Sequence, residues 1–243
     1  MPSTLLRAAT LSALAIIAFI LACTAHEAVG HGLACLGTGG KVTLLTSVFF
    51  QCRPSFPLVD AAGPILNLTL AAGAALALRH FPPPSVTGMF LGLLLAFSGF
   101  WGAGYCIFSA VSNTGDLAFA LRDLSLEPRW LWRLGMGVLG LLLYGAIRRR
   151  AAAVLPGDRL LIVAYGATGA VACLSVLFCR GPILAAAQEA VMESLVAPVG
   201  MLFVMFKRPE SEHPAAPASL GVVIAGIIFT VLFWLTLGRG FYG

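Results

Sequence analysis

Residues 8–36 read AATLSALAIIAFILACTAHEAVGHGLACL. Roughly 20 apolar residues cross the hydrocarbon of a bilayer, so the run is long enough to span one. Its second half nevertheless carries His26, Glu27 and His31. Ionisable groups are expensive inside a span and mark a functional site by default. Arg7 ahead of the apolar run resembles a secretory signal, but the run is longer than a signal core, so no cleaved leader is expected.

The rest of the chain extends this reading. Of its 243 residues, 59% are hydrophobic and 10% charged, against roughly 25% charged in a soluble domain. The fold expected is an all-α polytopic membrane protein with six to seven transmembrane helices. After the first span, GTGGKVTLLTSVFFQCRPSFP (37–57) reads as a short membrane-associated β-hairpin, because β-branched residues lie between glycines and prolines. Further spans are expected at about 59–78, 86–111, 130–147, 160–178 and 220–237. Residues 182–206 are apolar but hold Gln188, Glu189 and Glu193, which leaves a span or an interfacial helix open there. Glu189 and Glu193 are i,i+4 and share a helix face. They read as groups supporting a site, as an ion path or as a polar outer face. Residues 207–219 read as a polar, Pro-rich linker, and His80 and His213 as solvated loop residues.

The net charge is +5. The basic residues sit at the ends of apolar runs, as membrane-edge anchors do, so nucleic acid is not an expected partner. Arg148, Arg149, Arg150 and Arg159 form the strongest cytoplasmic marker and place the N-terminus inside and the C-terminus outside. Taken together, the 15 Lys and Arg divide almost evenly between the two sides, so the bias is weak. The expected location is a multi-pass position in a cell inner or plasma membrane. The six cysteines form no CxxC pair; five lie in or beside apolar runs and read as small buried hydrophobes, with Cys52 in a loop.

HEAVGH (26–31) carries the chemistry. Two His and an adjacent Glu match the logic of HExxH, in which the His pair holds zinc and the Glu activates water. Here the His residues are five apart. On an ideal α-helix that spacing splays the rings by about 140° beyond one turn. A π-bulge absorbs the extra residue, and Gly30 lies where such a distortion is cheapest. The plain structural reading is an i,i+4 hydrogen bond between Glu27 and His31, with Cys23 and Cys35 extending a packing seam.

HEAVGHGLACLGTGGKV, DAAGPILNLTLAAGAALAL (60–78) and AVSNTGDLAFAL (110–121) together resemble the site-2-protease class of intramembrane zinc metallopeptidases. HEAVGH alone is also similar to the zinc motif of the dipeptidyl peptidase III family. The site-2-protease resemblance covers the first half of the chain. It implies an HExxH helix, a membrane-associated hairpin, a GPxxN span (Gly63, Pro64, Asn67) and a later Asp that completes the metal site. It thus divides the chain into a metallopeptidase-like core, residues 1–128, with its ligand-bearing turn at 112–118, and additional helices of no assigned role, residues 129–243. The departures are the extra residue in HExxH and NTGD in place of a Pro-rich segment.

The expected site then has His26, His31 and Asp116 as ligands of Zn2+, and Glu27 as general base. Asn67, with Asn113 as second candidate, is expected to stabilise the oxyanion. Asp116 also reads as a helix N-cap, and Asn67 as a hydrogen bond between spans. The edge of the hairpin (39–51) suits an extended substrate. The expected activity is hydrolysis of peptide bonds in or near transmembrane segments of membrane-protein or peptide substrates within the lipid bilayer. The alternatives are a non-catalytic metal-binding member that acts by interaction, and a transporter or channel that uses the buried ionisable residues.

Overall fold

The computed structural model describes residues 2–206 and 215–243. The opening apolar run forms one continuous rod: α1 (Pro2–Thr24), a π-helical turn (Ala25–His31) and α2 (Gly32–Gly37). The hairpin follows as β1 (Lys41–Leu45) and β2 (Phe50–Arg53). Then come α3 (Pro57–Ala77), α4 (Val86–Ser112), the short α5 (Asp116–Asp123), α6 (Arg129–Val154) and α7 (Arg159–Ser175). α8 (Ile183–Val191) continues through a π-helical turn (Met192–Val196) into a 3-10 stretch (Ala197–Phe206). α9 (Leu220–Phe233) ends in a π-helical turn (Trp234–Gly238), and β3 (Phe241–Tyr242) closes the chain. Among the described residues, seven helices are long and apolar enough to cross a membrane.

Three features differ from the sequence reading. α6 does not end at Ile147 but runs through Arg148–Arg150 to Val154. Arg and Ala are strong helix formers, and the stop comes only where Leu155 precedes Pro156. The hairpin is not an isolated pair, because β3 adds to β1 (Leu44 opposite Tyr242, Leu45 opposite Phe241), giving the order β2-β1-β3. Cys35 and Cys52 are not two separate thiols but a disulfide joining α2 to β2. The fold-back of the hairpin brings together two cysteines that the linear pattern left unrelated. Of the expected Pro-rich linker, residues 207–214, with His213, lie outside the described residues.

α4 is the central helix. Phe97, Phe100 and Trp101 on it are almost fully buried, and Trp101 stacks on Phe19 of α1 with ring centroids 5.8 Å apart. Three such aromatics give α4 a large, tightly packed contact area with its neighbours. The outer faces of α6 and α9 are apolar as well, with Leu139, Leu142, Ile227 and Leu232 exposed. Arg133, near the start of α6, donates to the carbonyl oxygens of Ala110 and Val111 at the end of α4. That contact fixes the start of α6 beside α5. At 1.5 Å per residue, Arg149 then lies about 24 Å further along the helix axis, at the opposite end of the bundle.

Candidate metal centre

The π-helical turn Ala25–His31 solves the spacing problem of HEAVGH. In a π-turn the backbone hydrogen bonds run i→i+5 rather than i→i+4, which brings residues 26 and 31 onto one face. The two imidazole centroids lie 4.8 Å apart at 76°. His26, Glu27 and His31 are all buried. α3 must approach closely for this to work. A Cβ added at Gly30 would sit 2.8 Å from the Gly63 Cα, and one at Gly63 would sit 2.4 Å from His31 Nε2 and 2.7 Å from His26 Nε2. Those distances leave no room for a methyl, so glycine at 63 is what lets two rings share one space against α3.

Asp116 is the first residue of α5, after a glycine N-cap at φ +84°. Its side chain does not cap the helix. Oδ2 lies 3.1 Å from His26 Nε2 and 3.3 Å from His31 Nε2. Burial alone would raise the Asp116 carboxyl, but hydrogen bonding to His26 and His31 outweighs it and holds the group below the usual carboxylate range. The three candidate ligand atoms all lie within 4.8 Å of one another, and this is a grouping that could hold a metal ion. Zn–N and Zn–O bonds near 2.0–2.1 Å in a tetrahedron imply ligand–ligand edges of about 3.3 Å. Two of the three edges already match that length.

The back of each ring is engaged. His31 Nδ1 donates to the carbonyl oxygen of Val59 at 2.6 Å. The Asn67 amide lies 3.2 Å from His26 Nδ1. The Val59 carbonyl at Nδ1 leaves His31 Nε2 as the ligating atom, and at His26 the same follows once the Asn67 amide turns its otherwise unpartnered Oδ1 to accept from Nδ1–H. The rings are also flanked. Trp101 stacks on His26 with centroids 5.0 Å apart, Tyr105 lies 5.1 Å from His26, and Phe50 of β2 stacks on His31 at 5.3 Å.

Glu27 is 3% exposed, and its Oε2 has no hydrogen-bond partner. An orphaned buried carboxylate oxygen carries a desolvation cost that a substrate, water or proton donor would offset. Glu27 lines a cavity of about 290 Å³ together with His31, Asp116, Phe50, Tyr105 and Glu189. A donor set of two imidazole nitrogens and one carboxylate oxygen, with a free carboxylate in the same cavity, has the composition of a metal centre that keeps one position open.

His26, Glu27, His31 and Asp116 thus come together. Asn67 lies behind His26, fully buried, and is not among the residues lining the cavity. Asn113 is exposed, ends α4 in a left-handed conformation and is not among the residues lining the cavity. His80 is exposed. The far side of β1 is taken by β3, so the hairpin edge left nearest the site is β2, the strand that carries Phe50. The sequence reading missed Trp101, Tyr105 and Phe50, which look like any other apolar-run aromatics, and the Val59 carbonyl, which has no side-chain signature. No protein-family model, no curated protein and no solved structure matches the chain.

Proposed function

We propose that the chain crosses a membrane seven times and acts as an intramembrane zinc endopeptidase of the site-2-protease type, cleaving peptide bonds in or near transmembrane segments. The observation that carries this reading is the buried His26–His31–Asp116 grouping with the unpartnered Glu27 carboxylate beside it. Seven long apolar helices with apolar outer faces support the lipid setting, since such faces in water would leave extended hydrophobic patches uncovered.

His26 Nε2, His31 Nε2 and Asp116 Oδ2 would hold the ion, and the donor set and the two Asp–His edges are compatible with zinc. When bound, zinc supplies the Lewis acidity that makes water a nucleophile near neutral pH. Glu27 takes the proton from water as its oxygen adds to the scissile carbonyl carbon. It then delivers that proton to the amine nitrogen as the C–N bond breaks. Asn67, placed at His26 Nδ1, positions that ring instead of donating to the oxyanion. An extended substrate segment pairs with the outer edge of β2, which brings its backbone past Phe50 and into the cavity.

The disulfide supports an orientation. Disulfides persist in oxidising compartments and not in the cytosol. Cys35–Cys52 lies at the metal-site end of the bundle, and Arg148–Arg150 at the other. On this reading the arginines face the cytoplasm and the site faces the outer side.

The test uses the purified chain in proteoliposomes with labelled transmembrane peptides. Glu27→Gln is expected to lower cleavage by about 10²–10⁴-fold, the usual contribution of a general base, while zinc content stays at the wild-type level. Undiminished cleavage by Glu27→Gln would contradict the reading.

A further inference from the structure

A second cavity of about 350 Å³ lies beside the metal-site cavity. Tyr105, Phe108 and Glu189 line both, so the two spaces meet at these residues. The walls of the second cavity are mainly apolar, with Trp101, Met192 and Val196 among them, and its polar side chains are Glu189, Glu193, Tyr105 and Tyr144. Glu193 sits on the π-helical turn Met192–Val196 and is 4% exposed, and its Oε2 has no hydrogen-bond partner. Glu189 is half-buried one helical turn earlier. Among the described residues, no Lys, Arg or His side chain pairs with either carboxylate.

A buried carboxylate without a counter-charge is costly, and the cost is relieved by a bound proton or by a hydrogen-bonding cation. Nothing within the described bundle supplies one. The cavity has the composition of a ligand site, mainly apolar with a few polar groups that fix orientation. Its junction with the metal-site cavity places any occupant next to Glu27 and Asp116.

Resting on the endopeptidase reading, we propose that this second cavity is a specificity pocket for a basic side chain, Lys or Arg, carried by an otherwise apolar substrate segment. The aliphatic stem of the side chain lies along Trp101, Met192 and Val196, and its charged end reaches Glu189 and Glu193. Charge complementarity selects the occupant. A purely apolar segment would leave both carboxylates desolvated without a partner, and an acidic one would add like charge. The pocket therefore discriminates as much by penalty as by attraction.

The test compares two labelled peptides of Leu and Ala, each about 20 residues long so as to span a bilayer. They differ at one central position, Lys in one and norleucine in the other. Binding to the full chain is read by fluorescence anisotropy with chelator present, and cleavage by mass spectrometry with zinc present. Wild type is expected to bind the Lys peptide at least about 10-fold more tightly than its twin. Glu193→Gln and Glu189→Gln are each expected to remove most of that preference, by weakening the Lys peptide and by tightening the norleucine peptide as the desolvation penalty is relieved. Glu189 is only half-buried, so its variant serves if Glu193→Gln fails to fold. Equal binding of the two peptides by wild type would overturn the proposal. So would a preference that survives both substitutions, or displacement of the Lys peptide by phosphatidylethanolamine vesicles but not by phosphatidylglycerol vesicles, which would assign the carboxylates to a lipid amine. Lys-selective binding without any cleavage would uphold the pocket and refute the endopeptidase reading. Cleavage without Lys preference would do the reverse.

Discussion

Two π-helical turns each carry a buried glutamate with an unpartnered oxygen, yet their surroundings differ. Glu27, on Ala25–His31, is flanked in sequence by two imidazoles that meet Asp116. Glu193, on Met192–Val196, faces an apolar cavity and no described cation. The same backbone device serves both. A π-turn widens the helix by one residue and points a side chain that an α-helix would direct elsewhere. The contrast shows what completes a site. At Glu27 the neighbouring elements supply ligands, ring supports and a glycine that clears the space. At Glu193 the protein supplies only charge and shape, and the missing partner must come from outside.

The comparison can be broken at several points. The largest effect falls on Glu27, where removal of the carboxylate is expected to abolish turnover with the metal retained. A smaller effect is expected at Asn67. If its amide fixes the His26 ring, Asn67→Ala weakens zinc affinity by about 10–100-fold, the usual cost of losing such a support. Competition with a zinc-sensitive fluorescent chelator measures this. Unchanged affinity with lowered turnover would return Asn67 to the oxyanion role. The smallest effect is expected at Glu193. Glu193→Gln removes an unpaired buried charge and is expected to raise the midpoint of thermal unfolding by about 2–4 °C, the shift that about 1 kcal/mol produces in a chain of this size. Zinc content should not change. A lowered midpoint would show that Glu193 is partnered in the folded chain and would erase the contrast.

Much of this was legible from residue order. Long apolar runs gave the helices, since length and hydropathy need no knowledge of contacts. The five-residue spacing of His26 and His31 called for a π-turn, and the structure has one. Asp116 was separable from its helix-cap reading only by the resemblance, because Asp at a helix start is ordinary on its own. The reading ran out where distant segments meet. Cys35 and Cys52 looked like unrelated hydrophobes until the hairpin folded back. β3 is two residues long, too short to carry a periodic signal. Trp101, Tyr105 and Phe50 flank the imidazoles from α4 and β2, and nothing in their local pattern separates them from other apolar-run aromatics. Gly63 was visible as part of GPILN, but its steric role becomes apparent only once both imidazoles are seen to lie against its Cα.

The second half of the chain follows the same logic in weaker form. α6 and α9 expose most of their apolar side chains, and neither lines the metal-site cavity. α8 brings Glu189 and Glu193 to Tyr105 and Phe108, so one helix of residues 129–243 reaches the metal-site cavity. The additional helices are therefore not merely an appendage to the first half. One of them forms a wall of the space next to Glu27.

The most direct test is the metal content of the purified full-length chain, wild type beside His26→Ala and Asp116→Ala, each checked for a wild-type circular dichroism spectrum. The account expects about one zinc per chain in wild type, as for a three-ligand site with one open position, and loss of that zinc in both variants. A folded wild type that binds no zinc, or variants that keep it, would contradict the account and leave the His26–His31–Asp116 cluster a structural ion pair.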